Sequence, residues 1–299
     1  MAAKKRMLGW DGVDAADHET DIQAICSDII AAIPEVRFLA VILKSPDSVT
    51  QELTRRLAVH YSGQLEDLAI AGPVAIPRGR KFKQLKRLGL NYDYISTSRV
   101  APALLRVIDE VVGIPAARQF TLMVPRGFGD DPAVLAVVGR IFEKAHKCET
   151  RELVAPDNAS PLLVDMVASA PVTHLTLHMA SMGVVTDMIR RTSSVTTLSI
   201  IRLNTDSAQP DILAPSPDGG HTVEPLNTSI TELCLGWYPV EWHPDAVLAA
   251  KCLLLAIPSL LRLVASDALI QQLAEFTNAR STCYPYRPNP SPYSRWWLA

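Results

Sequence analysis

The sequence predicts an α/β fold of alternating strands and helices, the strands forming one parallel sheet that is wet on one face and covered by helices on the other. Three observations carry this expectation. The first is a recurring phrase: an apolar residue, two others, Leu, one other, then an apolar residue. It occurs nine times, with Phe120 replacing the Leu in one copy and Thr150 breaking the first apolar position in another, as VRFLAV from Val36, LEDLAI from Leu65, LKRLGL from Leu85, ARQFTL from Ala117, TRELVA from Thr150, VTHLTL from Val172, VTTLSI from Val195, ITELCL from Ile230 and LLRLVA from Leu260. The centres Leu39, Leu68, Leu88, Phe120, Leu153, Leu175, Leu198, Leu233 and Leu263 stand 20 to 35 residues apart, 28 on average. Repeats of that period mark stacked supersecondary units. The second observation is alternation. Just before the centres stand Phe38, Asp67, Arg87, Gln119, Glu152, His174, Thr197, Glu232 and Arg262, eight of the nine polar, which is the period of a half-buried strand. Strands of a doubly wound sheet, covered on both sides, read instead as continuous apolar runs. The third is punctuation. Ile33-Pro34, Ile114-Pro115 and Ile257-Pro258 place proline five residues before a centre, and Pro171 stands four before another. Proline forces its predecessor out of the α region, so each ends a helix and releases an extended segment.

Each helix has its own signal. Ile22, Ile25, Cys26, Ile29, Ile30 and Ile33 form a stripe from a start near Asp21, and Val134, Val137, Val138, Ile141, Phe142 and Ala145 form another, with apolar positions three and four apart facing a core. Ser45-Pro46, Asp131-Pro132, Ser160-Pro161 and His243-Pro244 put proline at a first helical position, mostly behind a capping side chain. Further helices are expected over 47–60, 98–113, 160–170, 182–192, 244–257 and 267–279. The apolar window Ala246 to Ala265 has membrane-spanning length, but Lys251, Pro258 and Arg262 interrupt it; each interior charge would cost about 2.5–3.5 kcal/mol on insertion. The expected reading is a helix ending at Ile257 and a strand from Leu260, with no membrane partner.

Helix, short turn and LxxLxL strand in repetition resemble the leucine-rich-repeat family in its ribonuclease-inhibitor-like form, over roughly residues 20–279. IPEVRFL, IPSLLRL and APVTHLTL look especially like the degenerate repeats of fungal F-box and leucine-rich-repeat proteins. The resemblance implies a leucine-rich-repeat solenoid, with a curved parallel sheet on the concave side and helices on the convex side. The sequence departs from the family in its irregular spacing and in the scarcity of Asn or Cys after the strands, Asn91 and Asn204 being the nearest candidates. No F-box is recognisable before the first helix.

The expected organisation is a flexible segment over 1–19, the repeat array over 20–279, and a Pro/aromatic tail or cap over 280–299. The array carries a loop insertion over 204–229, rich in Pro, Gly, Asp and Ser. Tyr284, Tyr286, Tyr293, Trp296 and Trp297 among four prolines favour a tail that covers the open end of the array.

Composition narrows the function. With 299 residues, 48% hydrophobic and 20% charged, the chain can bury about three quarters of its unfolded surface. Twenty-nine basic against 31 acidic residues leave a net charge of −2, which provides no global field for nucleic acid. Five scattered cysteines without a C-x-x-C pair fit neither a disulfide framework nor a zinc module, and Lys4, Lys5 and Arg6 are followed by no apolar stretch. A cytoplasmic or nuclear location is expected. His174 and His178 share a strand, where a four-residue step spans about 13 Å, too far for one metal ion; both should face the concave side with Thr176. Arg78, Arg80, Lys81, Lys83, Lys86 and Arg87 form a basic run, read as a solvated face. Gly127 to Asp131 lacks the spacing of a phosphate loop and reads as a turn ending in a helix cap at Asp131. Nucleophile-elbow and metalloprotease motifs are absent from the sequence.

The expectation is therefore a non-catalytic recognition scaffold without cofactor, binding a protein partner on its concave face through Asp67, Arg87, Asn91, Gln119, Glu152, His174, His178, Glu232 and Arg262. Two alternatives stand beside it. One is the substrate-recognition part of an F-box-type ubiquitin ligase adaptor, with a ligase scaffold as partner. The other is an α/β enzyme acting on a nucleotide or sugar.

Overall fold

The computed structural model describes residues 18–42, 48–72, 82–92, 117–204, 213–215, 221–223, 225–226, 228–236, 244–273 and 282–285. In chain order the elements are α1 His18–Ala32, β1 Phe38–Ile42, α2 Ser48–Tyr61, β2 Asp67–Ala71, β3 Arg87–Asn91, β4 Gln119–Met123, α3 Pro132–Lys144, β5 Thr150–Asn158, α4 Pro161–Ser169, β6 His174–Ser181, α5 Met182–Arg191 and β7 Thr197–Asn204. There follow a small hairpin, β8 Leu213–Pro215 with β9 His221–Val223, and then β10 Glu232–Leu235, α6 Pro244–Ala256, β11 Arg262–Ala265, α7 Asp267–Leu273 and β12 Thr282–Pro285. The expected helix over 98–113 lies outside the described residues.

All nine phrases are strands. They form one sheet in the order β1-β2-β3-β4-β5-β6-β7-β10-β11-β12, so spatial neighbours are chain neighbours apart from the hairpin, and every pairing is parallel. Parallel strands require a crossover between them, which α2 supplies between β1 and β2, α3 to α5 between successive strands from β4 to β7, and α6 and α7 from β10 to β12. An unreversed strand order excludes the doubly wound enzyme topology, whose order turns back at a switch point.

The centres stack in register, Leu39 beside Leu68 and Leu68 beside Leu88, then Leu153 beside Leu175 and Leu175 beside Leu198. One step differs from the sequence alignment. Between β4 and β5 the pairing slides by two residues, Phe120 facing Arg151 and Leu122 facing Leu153. The first apolar position of the β5 phrase holds Thr150, which gives this strand no aliphatic anchor at that level. Arg151 holds the turn instead, donating to the carbonyls of Pro171, Cys148 and His146. An even slide keeps every side chain on its own face.

The core lies between sheet and helices. Each phrase centre and the residue two beyond it point into it: Leu68 and Ile70, Phe120 and Leu122, Leu175 and Leu177, Leu198 and Ile200, and Leu233 and Leu235 are all buried. From the helical layer come Cys26, Leu53, Leu57, Val138, Ile141, Phe142, Val167, Val185, Ile189, Ala250 and Leu253. Helices α1 and α2, α3 and α4, α4 and α5, and α6 and α7 pack in adjacent pairs. The caps follow the sequence: Asp131 accepts from the N–H groups of Ala133 and Val134, and Ser160 from that of Leu163, each with proline at the next position.

Strand entry is held by a ladder invisible in the apolar pattern. The carbonyls of Arg37, Glu66, Lys86, Thr173, Thr196 and Thr231 each accept two successive N–H groups of the next strand. Hydroxyls run alongside: Thr196 to the Thr173 carbonyl, Thr231 to that of Thr196, Ser194 to that of Ala170 and Ser229 to that of Val195. Where β2 and β10 end, Gly72 and Gly236 have φ of 115° and 66°, values that favour glycine, and their N–H groups close the sheet on the Asn91 and Ile200 carbonyls.

Two features add detail to the expected organisation. The 204–229 insertion is not wholly loop, because Leu213–Pro215 and His221–Val223 pair antiparallel; period-two apolar runs this short carry no signal above the surrounding Pro and Gly. The sheet also continues past residue 279, with Thr282–Pro285 adding to β11 as its tenth strand; TCYP lacks the leucine phrase and so escaped the repeat. The remainder of the tail, residues 1–17 and the basic positions Arg78, Arg80 and Lys81 lie outside the described residues. The window 246–265 divides as expected into α6 and β11, and among the described residues no helix is long and apolar enough to cross a membrane.

The polar strand face as candidate functional site

Facing away from the core, the sheet carries three rows of side chains. The first is the residue before each centre, and it gathers seven of the nine sequence candidates. Arg87, Gln119 and Arg262 are exposed, while Asp67, Glu152, His174 and Glu232 are half-buried. Asn91 and His178, four residues beyond this row on β3 and β6, are half-buried in the third row. The face is less bare than the alternation implied. Between these rows lie small buried residues in two lines offset at the slide: Ala40, Ala69, Gly89 and Thr121 on β1–β4, whose line runs into Glu152, and Val154, Thr176, Ser199 and Cys234 on β5, β6, β7 and β10, whose line runs into Met123; none of them belongs to the core cluster. They form the floor of a trough. On β5–β10 its walls are the first-row side chains and, in the third row, His178 and Ile201, while Met123 of β4, facing Val154, stands at its end.

Charge along the first row is largely settled within the sheet. Arg87 donates through Nε to Asp67 Oδ1 at 2.7 Å and through Nη2 to Oδ2, a bidentate pair between adjacent strands. This bonding raises the Arg87 guanidinium further above its ordinary range. At the other end Arg262 Nη1 donates to Glu232 Oε2 at 3.2 Å. Along the entry edge Glu66 pairs with Lys86 at 2.6 Å and with Arg37 at 3.6 Å.

The centre is built differently. Glu152 accepts hydroxyl hydrogen bonds on both oxygens, from Thr121 Oγ1 at 3.0 Å on one side and Thr176 Oγ1 at 3.3 Å on the other. The slide between β4 and β5 causes this, since it places Thr121 directly opposite Glu152; in the alignment of centres Gln119 would have stood there. His174 pairs with Glu152 across β5 and β6. Burial pushes its imidazole below the ordinary 6.5, and the carboxylates of Glu152 and Glu232 oppose that shift. Near neutral pH it is therefore uncharged.

The sequence thus placed the row and missed its internal pairing. Adjacent phrases align Asp67 with Arg87 and Glu232 with Arg262, so the ion pairs were legible once neighbours in sequence were known to be neighbours in space. The Glu152 cluster was not, because it depends on the slide. Among the described residues no group of three or more His, Cys, Asp or Glu could hold a metal ion. Comparison with known proteins finds no matching family model, no matching characterised protein and no matching solved structure.

Proposed function

We propose that this chain is a non-catalytic recognition scaffold, a solenoid of the leucine-rich-repeat kind that binds a protein partner along its polar strand face. The observation that supports the reading is the chain-ordered parallel sheet with one face packed into the core and the other presenting polar side chains from β2 to β11. Such a row is fixed by the backbone at intervals of about 4.8 Å. Its side chains are ordered before a partner arrives, by ion pairs at Asp67–Arg87 and Glu232–Arg262 and by the hydroxyls on Glu152. Preordering reduces the entropic cost of association. The row varies from strand to strand, so it encodes specificity in the sequence of charges and hydrogen-bonding groups rather than in one pocket.

The experiment is affinity purification with quantitative mass spectrometry, comparing the wild type with a Gln119→Lys, Thr197→Lys double variant. Both positions lie in the first row and can take a longer side chain without leaving a hole. Loss of the same proteins from the variant, with the fold intact by circular dichroism, is the expected result. Equal recovery by both would remove the strand face as the binding surface.

A further inference from the structure

We infer that the partner presents an extended segment bearing a lysine or arginine, which enters the trough and pairs with Glu152. The inference rests on the strand-face reading and adds the chemistry of what is bound. Among the described first-row residues, Asp67, Glu152 and Glu232 carry negative charge and Arg87 and Arg262 positive charge. Each arginine is committed to the carboxylate on an adjacent strand. Glu152 is two strands from Arg87 and four from Arg262, about 10 and 19 Å at the usual strand spacing, beyond the Debye length of about 8 Å at physiological salt. The row therefore leaves a net negative charge, and that charge sits at its middle.

Glu152 is also prepared for a cation. Hydroxyls on both flanking strands hold its oxygens, which fixes the carboxylate and leaves lone pairs for a further donor. Neighbouring His174, uncharged near neutral pH, supplies no competing cation. Beside it the floor is Val154, Thr176 and Ser199, small enough for a backbone to lie close. First and third rows are four residues apart along each strand, about 13 Å between backbones. With Glu152 and His174 projecting from one side and His178 and Ile201 from the other, a helix of about 10–12 Å with its side chains is too wide. An extended segment fits.

The test uses the full chain and immobilised decapeptide pools that are random except for a central Arg, Lys, Gln or Glu. The expected result is retention on Arg- and Lys-centred pools about tenfold above the other two. That preference should vanish in Glu152→Gln, persist in Asp67→Asn and weaken with added salt. A preference that survives Glu152→Gln, or retention by no pool, overturns the inference. Ser199→Trp separates the two levels, since it fills the trough without altering charge. Binding that ignores the central residue but is lost in Ser199→Trp overturns the cationic segment and leaves the strand-face reading standing. Binding indifferent to Ser199→Trp removes both.

Discussion

Neighbouring residues on β4 provide the sharpest contrast in stability. Phe120 is 1% exposed and its ring meets that of Phe142 edge-on, with centroids 5.6 Å apart. Gln119, one residue earlier, lies exposed on the other face. Truncating a buried phenylalanine removes its transfer free energy and leaves a cavity, a loss of about 3–5 kcal/mol, of which the ring pair supplies about 0.5–1.5 kcal/mol. Truncating an exposed side chain changes stability by within about 0.5 kcal/mol. Phe120→Ala and Gln119→Ala therefore differ about tenfold in cost although they are adjacent. Urea denaturation followed by far-ultraviolet circular dichroism measures both through the shift in midpoint at common slope. A double cycle with Phe142→Ala isolates the ring contact, and its coupling should be about 1 kcal/mol. Similar losses for the two β4 variants, or an unmoved midpoint in Phe120→Ala, would refute the assignment of the two faces.

Other outcomes follow from single contacts. Asp131→Ala deletes the cap of α3 and should cost about 1 kcal/mol, read in the same denaturation experiment. Arg151→Met leaves the Pro171 and Cys148 carbonyls without their charged donor and should cost about 1.5–3 kcal/mol; a neutral result would show that the slide needs no such clamp. Glu52, drawn down to about 2 by hydrogen bonds from Arg55 and Arg56 on the solvent side of α2, is partly exposed and screened by water, so Glu52→Gln should cost less than about 1 kcal/mol. His174 sets an acid limit. Its imidazole titrates lower in the folded chain than in the unfolded one, so just below pH 6.5 the unfolded chain binds more protons and stability falls as pH drops. Melting temperatures of the wild type and His174→Gln across about pH 5–7 should show a fall in the first that is shallower in the second.

What the sequence could reveal follows from which forces leave a periodic trace. Leu175 and Leu177 must be buried in each repeat, so the LxL spacing survives and the strands could be read from it. Prolines 34, 171 and 258 mark helix ends through steric rules that act locally. The pairing of strands is set by contacts between segments, and it stayed hidden wherever the phrase weakened. Thr150 has no aliphatic chain, so nothing in TRELVA foretold that Arg151 would stand beside Phe120 or that Glu152 would gain two hydroxyl donors. Thr176 was read as facing the concave side because it alternates with leucine, and Thr121 and Ser199 alternate in the same way. They are sealed because longer neighbours rise on both sides of them, a three-row effect that a single strand cannot report. The hydroxyls of Ser194 and Ser229 stand four residues before their centres and those of Thr173, Thr196 and Thr231 two before, a second periodic signal alongside leucine.

Which surface a partner covers can be measured directly by carbodiimide labelling of carboxylates, with and without the proteins recovered by affinity purification. The account predicts that bound partner shields Glu152 and Glu232 on the strand face, while Glu143 of α3, Asp165 of α4 and Asp187 of α5 react as in the free chain. Shielding of the helical carboxylates with Glu152 and Glu232 still reactive would contradict it.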